Sequence, residues 1–180
     1  TNAYNSDPKL FVTEEVNETI NTLSNKSLTK EDKEIFVEKV ALGNVDIEAL
    51  SLYTLGELRK STDENKLKIY QQAFEKYFLK TLTSRLTDYS SNKFEVISAE
   101  IKSPNYTIVK SKINTGNNQP EIKIDWRVYT KNPDKPLIRD LIVEGLSLAR
   151  TQKEEFASIL NSNDNNIDIL ISKLKEFVKN

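Results

Sequence analysis

The sequence predicts an α+β fold in which a four-stranded antiparallel sheet carries helices packed on one face. Three observations predict it. Apolar residues recur at a helical spacing through the first half of the chain, the spacing changes to two, with β-branched residues, across 94–143, and a helical spacing then returns to the end. At 180 residues and 20.6 kDa the chain reads as one domain, 1–180, with helices over 7–90, the sheet over 94–144 and closing helices over 150–178.

The first helix opens on Asp7-Pro8, an N-cap followed by proline at the first helical position, and continues through Val12, Val16, Ile20 and Leu23. Thr29 and Asp32 fit a capping box for a second helix carrying Ile35, Phe36, Val37 and Val40, which Gly43-Asn44 ends. A third helix is expected over 46–58, with Ile47, Leu50, Leu52, Leu55 and Leu58 on one broad face. The longest helix follows the box Ser61-Thr62-Asp63-Glu64 and carries Leu67, Tyr70, Phe74, Tyr77, Phe78, Leu82, Leu86 and Tyr89. Thr81, Thr83, Ser84 and Thr87 are candidates for bending it by bonding back to the preceding turn.

Four strands are legible at 94–101, 106–113, 121–130 and 137–143. Their connections at 102–105, 114–120 and 132–136 hold Pro, Gly and Asn, which is hairpin chemistry. In the third strand Ile122, Ile124, Trp126 and Val128 share one face and Lys123, Asp125, Arg127 and Tyr129 the other, so one face is dry and one wet. Closing helices carry Phe156, Ile159 and Leu160, then, after a polar loop at 161–166, Ile167, Leu170, Ile171, Leu174 and Phe177. A curved sheet beneath long helices leaves a conical space between the layers.

Composition removes several chemistries. The chain has no His and no Cys, so it builds no Ser/His/Asp or Cys/His catalytic unit, no thiolate or imidazole zinc site and no disulfide. Its formal net charge of −1 argues against a nucleic-acid binder, which needs a basic excess to neutralise phosphates. With no Met, nothing present could have initiated translation, and removal of a leader or tag is expected; no apolar stretch near Thr1 forms a signal core.

Three constellations bear on function. Leu52, Leu55, Phe74, Phe78 and Leu82 from helices, with Val109, Ile113, Ile124, Trp126 and Val128 from strands, make an apolar concave face. It reads either as ordinary core or as the wall of a pocket. Lys110, Lys112, Lys123 and Arg127 gather on the wet sheet face, where they are either solvated or meet an anionic headgroup or acidic surface. Asp125, Asp140 and Glu144 are either caps and structural carboxylates or, if one lies beside an apolar wall, a general acid or base. Gly145 marks a sharp exit from the last strand.

Longer motifs add to these readings. LYTLGELRKSTDENKLKIYQQAFEKYFLKTLTSRLTDY, over 52–89, holds a leucine-glycine pair, a basic-Ser-Thr helix start, an F-x3-F-L helix and a closing Tyr. RDLIVEGLSLARTQKEEFASILNSNDNNIDILISKLKEF, over 139–177, holds a D-x3-EG-L-S-L strand exit, an E-F-x-S-I-L helix and an I-D-x-L-x3-L closing helix. With PEIKIDWRV, over 120–128, these resemble the MlaC-type, or toluene-tolerance, family of periplasmic phospholipid-binding proteins. The N-terminal stretch is similar only in helical character. The chain departs from the family pattern before the last strand, where KNPDKPLIRDLI stands in place of a D-G-x-W-(K/Q)-x-Y-D run; only Asp140 is kept, so the loop at 132–136 and the pocket rim differ.

The resemblance implies an NTF2-like cone with a helical subdomain and a hydrophobic pocket between layers. It implies a periplasmic carrier, without catalytic residues or metal, whose ligand is a phospholipid. Its partners would be an outer-membrane lipoprotein complex and an inner-membrane ABC transporter. The implied lipid-binding residues are Leu52, Leu55, Phe74, Phe78, Leu82, Val109, Ile113, Ile124, Trp126, Val128, Leu141, Val143 and Leu146, with a hinge near Gly43 or Gly56. Two other classes stay open: a small cone-fold enzyme using Asp125 or Asp140 as base, and an interaction module with a filled core.

Overall fold

The computed structural model describes residues 4–86, 93–114, 118 and 120–180. Helices α1 (Pro8–Leu23), α2 (Lys30–Asn44), α3 (Ile47–Thr54), α4 (Leu58–Ser61) and α5 (Glu64–Leu86) precede strands β1 (Lys93–Ser103), β2 (Tyr106–Asn114), β3 (Ile122–Tyr129), β4 (Leu137–Val143) and β5 (Leu146–Ser147). Helices α6 (Leu148–Asn161) and α7 (Ile167–Lys179) close the chain. Asp7 caps α1 by accepting from the amides of Lys9 and Leu10, and Thr29 and Asp32 form the capping box of α2. The local chemistry read from the sequence therefore fixes both starts.

Two elements differ from expectation. The stretch expected as one helix over 46–58 is broken: α3 stops at Thr54, and Gly56 takes a left-handed φ of 58° before the short α4. Among the described residues the sheet has five strands rather than four. Glu144 and Gly145, at φ 49° and 81°, form a two-residue turn that folds Leu146 and Ser147 back onto Val143 and Ile142. Positive φ at both turn positions matches the twist of a tight hairpin. A two-residue strand shows no alternation, which is why periodicity missed it. Helix α5 runs unbroken to Leu86 although Thr83 bonds back to the Lys80 carbonyl. The expected helix end at Tyr89, and Thr87, lie outside the described residues, as does most of the connection at 114–120.

The sheet is an antiparallel meander in the order β1-β2-β3-β4-β5. Register places Phe94, Ile113 and Ile122 side by side, then Val96, Ser111, Ile124 and Val143, then Ala99, Val109, Trp126 and Leu141. All share the inner face, because alternate residues point to one side. Helix α1 packs on β1 and β2, α3 and α6 pack on β4, and α5 packs chiefly on α7, with α3 and α2 as further neighbours. The corner between α2 and α3 is strapped to the sheet: the Asp46 amide donates to the Ile138 carbonyl at 2.9 Å, and Arg139 reaches the Asp46 carboxylate at 3.0 Å.

Candidate functional site

The buried apolar residues fall into two clusters. The helical one gathers Ile47, Leu55, Tyr70, Ala73, Phe74, Phe156, Leu160, Leu170, Ile171 and Leu174. The sheet one gathers Phe11, Val12, Val109, Val128 and Ile138 beneath α1. Val45, at the α2–α3 corner, packs at the edge of both.

The thirteen residues that the sequence offered as a lipid wall divide along the same line. Leu55 and Phe74 are buried in the helical cluster, and Phe78 packs against it. Val109 and Val128 are buried in the sheet cluster, with Trp126 and Leu141 packed against it. Leu52, Leu82, Ile113, Ile124 and Val143 are half-buried and belong to neither, while Leu146 is 57% exposed. Thus Ile113, Ile124 and Val143, joined in register by Phe94 and Ile122, form a half-buried apolar strip on the inner face, beside the sealed Ser111. Ile122, read in the sequence only as a dry-face residue, belongs to this strip. The strip adjoins one polar device: the Trp126 indole N–H donates to Ser111 Oγ at 2.9 Å, and Ser111 Oγ donates to the Ile124 carbonyl at 2.7 Å. That pairing lets an indole lie on an apolar face with its N–H satisfied.

A groove of about 460 Å³ opens at the α2–α3 corner, between the edges of the two clusters. Leu42, Val45, Ile47 and Leu137 give it apolar surface; Asp46, Glu48, Lys68, Glu75 and Lys135 give it charge. Gly43 lines it, and a methyl added there would meet nothing within 4 Å. A second groove, of about 710 Å³, runs along the outer side of α1 past Tyr4, Glu14, Asn17, Glu18 and Asn21. None of the thirteen residues lines either groove.

Two of the three carboxylates weighed for catalysis have structural partners. Asp140 accepts from the Ala149 amide at 3.0 Å and from the Ser147 hydroxyl at 2.5 Å, which fastens the start of α6 to β4. Glu144 accepts from the Lys123 amide at 2.5 Å. Asp125 stands opposite Lys110 on the outer sheet face, away from the apolar strip. Among the described residues no group of three or more His, Cys, Asp or Glu side chains is placed to hold a metal ion, and no helix is long and apolar enough to cross a membrane.

On the outer sheet face two of the four cations read from the sequence, Lys112 and Arg127, enter local pairings. Lys112 lies between Glu95 and Glu121 at 3.6 and 3.4 Å. Arg127 stacks on Tyr106, 3.8 Å from the ring centre, and Arg139 stacks on Tyr129 at 3.6 Å while donating to the Tyr106 hydroxyl at 2.6 Å. Residue patterns gave no sign of this interleaved stack, because it depends on the extra residue, Arg139, that β4 inserts opposite Arg127 and Val128.

Glu15 is the group that sequence reading passed over. It is 7% exposed on α1, its Oε2 has no hydrogen-bond partner among the described residues, and burial pushes its carboxyl up to about 8 from the usual 4.5. Its position one turn beyond Phe11 and Val12 was the available signal: an acid placed on the apolar face of an amphipathic helix.

Comparison with known proteins agrees with this architecture. The family model described as MlaC protein matches residues 13–176. A solved structure of a phospholipid-binding protein from Ralstonia solanacearum, in complex with a phospholipid, superposes with a TM-score of 0.76. The two are 18% identical, and the match covers 99% of this chain and 98% of that one. No curated protein matches the chain by sequence.

Proposed function

The chain belongs to the MlaC family, and on that premise we propose that it is a non-enzymatic phospholipid carrier that encloses acyl chains between its sheet and its helical layer. The observation that carries this reading is the family match over residues 13–176. The phospholipid held by a protein of the same fold supports it, and so does an inner face whose apolar strip, Ile113, Ile122, Ile124 and Val143, is left half-buried.

Burial energetics make such a role coherent. Each methylene removed from water contributes about 0.8 kcal/mol, so one sixteen-carbon chain gains on the order of 12 kcal/mol before ordering costs. Release into water is then negligible, and discharge needs docking to a partner that opens the layers or offers a better apolar site. In this reading the carrier works in the periplasm, between an outer-membrane lipoprotein complex and an inner-membrane ABC transporter, and its headgroup end stays exposed.

Native purification followed by organic extraction and lipid mass spectrometry tests the proposal. The expected result is phospholipid at near one-to-one yield with protein. Protein that is folded, free of lipid, and unable to take up phospholipid from vesicles would overturn it.

A further inference from the structure

We propose that α1 is a lid over the sheet's inner face and that the buried carboxyl of Glu15 is its latch, holding when protonated and releasing when ionised. The geometry begins with α1 itself. Phe11 and Val12 anchor it in the sheet cluster with Val109, Val128 and Ile138, and Glu15 follows them at i+4 and i+3, on the same helical face. Its side chain is 7% exposed, with an oxygen that no donor among the described residues satisfies.

An unpaired carboxylate cannot be kept in such a place. The element beside it therefore either keeps the acid neutral or moves to let water in. Among the described residues the surroundings offer no compensating charge. On β1 and β2 the residues turned toward α1 are Phe94, Val96, Ala99, Thr107, Val109 and Ser111, and none titrates. Glu95, Glu100, Lys110 and Lys112 occupy the outer face of those strands. On α2 the inward residues are Val37 and Ala41, with Lys33 and Glu34 half-buried; neither charge offsets the effect of burial on Glu15, whose carboxyl is shifted by desolvation. On its own side Glu14 and Glu18 are exposed, and Tyr4, which packs edge-on to Phe11, has its hydroxyl pushed up by burial and by Glu18 and Glu15.

The sign follows from linkage. The closed form holds a proton that the open form, with an ordinary carboxyl, gives up above pH 4.5. Opening of α1 therefore becomes easier as pH rises from 4.5 to about 8, and is independent of pH below and above that window. Resting on the carrier reading, the same motion would uncover Val109 and Val128, which Phe11 and Val12 cover, and ease discharge of a bound lipid.

Amide hydrogen exchange across α1, measured on lipid-free protein at pH 5.5, 6.5 and 7.5, reads the latch directly. Comparison with Glu15→Gln cancels the intrinsic pH dependence of exchange. The ratio of the protein's opening constant to that of the variant is expected to climb about tenfold per pH unit. Fluorescence of Trp126, the single tryptophan and a neighbour of the sheet cluster, should shift over the same range. Glu15→Leu, which leaves no buried amide, provides the second comparison. A ratio that stays constant with pH against both variants overturns the latch. Transfer of a fluorescent phosphatidylethanolamine to phosphatidylcholine vesicles keeps the two readings apart. PH-dependent opening in a protein that takes up no lipid retains the latch and removes the carrier; lipid uptake with pH-independent opening removes the latch and retains the carrier.

Discussion

At Gly56 the backbone φ of 58° and the nearness of Lys153, whose Cε would lie 3.2 Å from an added methyl, together demand glycine. Gly56→Ala is expected to cost about 1 kcal/mol in urea unfolding, mainly from the left-handed conformation, since a lysine tip can swing aside. Gly43 is the opposite case: it lies within α2 with open space around it, so Gly43→Ala should stabilise the protein by about 0.5 to 1 kcal/mol. Transfer rates measured on the Gly43→Ala protein also decide whether that corner flexes, because a stiffer helix end with unchanged transfer excludes it as the hinge. Ser111 is the residue-scale counterpart inside the sheet. Ser111→Ala strands the Trp126 N–H that now donates to its hydroxyl, with an expected loss of about 1 to 3 kcal/mol and a change in tryptophan emission.

Elements show where local chemistry determines structure and where tertiary contacts do. The starts of α1 and α2 were legible because Asp7, Thr29 and Asp32 satisfy backbone amides within three residues of themselves. Strand β2 was legible because its alternate residues Thr107, Val109 and Ser111 turn to a buried face. The break at Gly56 was not, because Leu52, Leu55 and Leu58 continue a helical spacing straight across it. The division of the apolar interior was hidden for a similar reason: periodicity says which residues turn inward, and nothing in it says which inner residues meet. Phe74 and Val109 both face inward, yet they join different clusters. The attachment of α6 depends on Asp140, seven residues before the hydroxyl it accepts from. Asp140→Ala should loosen the start of α6 and cost about 2 kcal/mol, while Asp140→Asn, which retains an acceptor for the Ala149 amide, should cost less. Lipid uptake that falls with stability through Asp140→Asn and Asp140→Ala is the result expected of an anchoring carboxylate.

For the molecule as a whole, what matters is how its apolar surface is divided between holding the fold and holding a ligand. Residues of the first kind, such as Phe74, Val109 and Leu170, are essentially sealed from solvent, and shortening them would create cavities. Ile113, Ile124 and Val143 are half-buried in the same sheet, so enlarging them need not overpack the core. That difference makes a stability-neutral block of the proposed lipid site feasible. Ile124→Trp is expected to fill the strip, lowering co-purifying phospholipid at least tenfold while shifting the thermal midpoint of the lipid-free protein by no more than a few degrees. Ile108→Trp, on the outer face of β2 opposite Arg127, adds the same bulk where no acyl chain is expected and should leave lipid content unchanged. If both variants retain lipid equally, the strip is not where the chains lie. If both lose it, the sheet has been distorted rather than its inner face occupied. Only loss confined to Ile124→Trp assigns the half-buried strip to the ligand, and it would explain in physical terms why the fold leaves that surface half-buried: sealing it would stabilise the empty protein at the expense of its cargo.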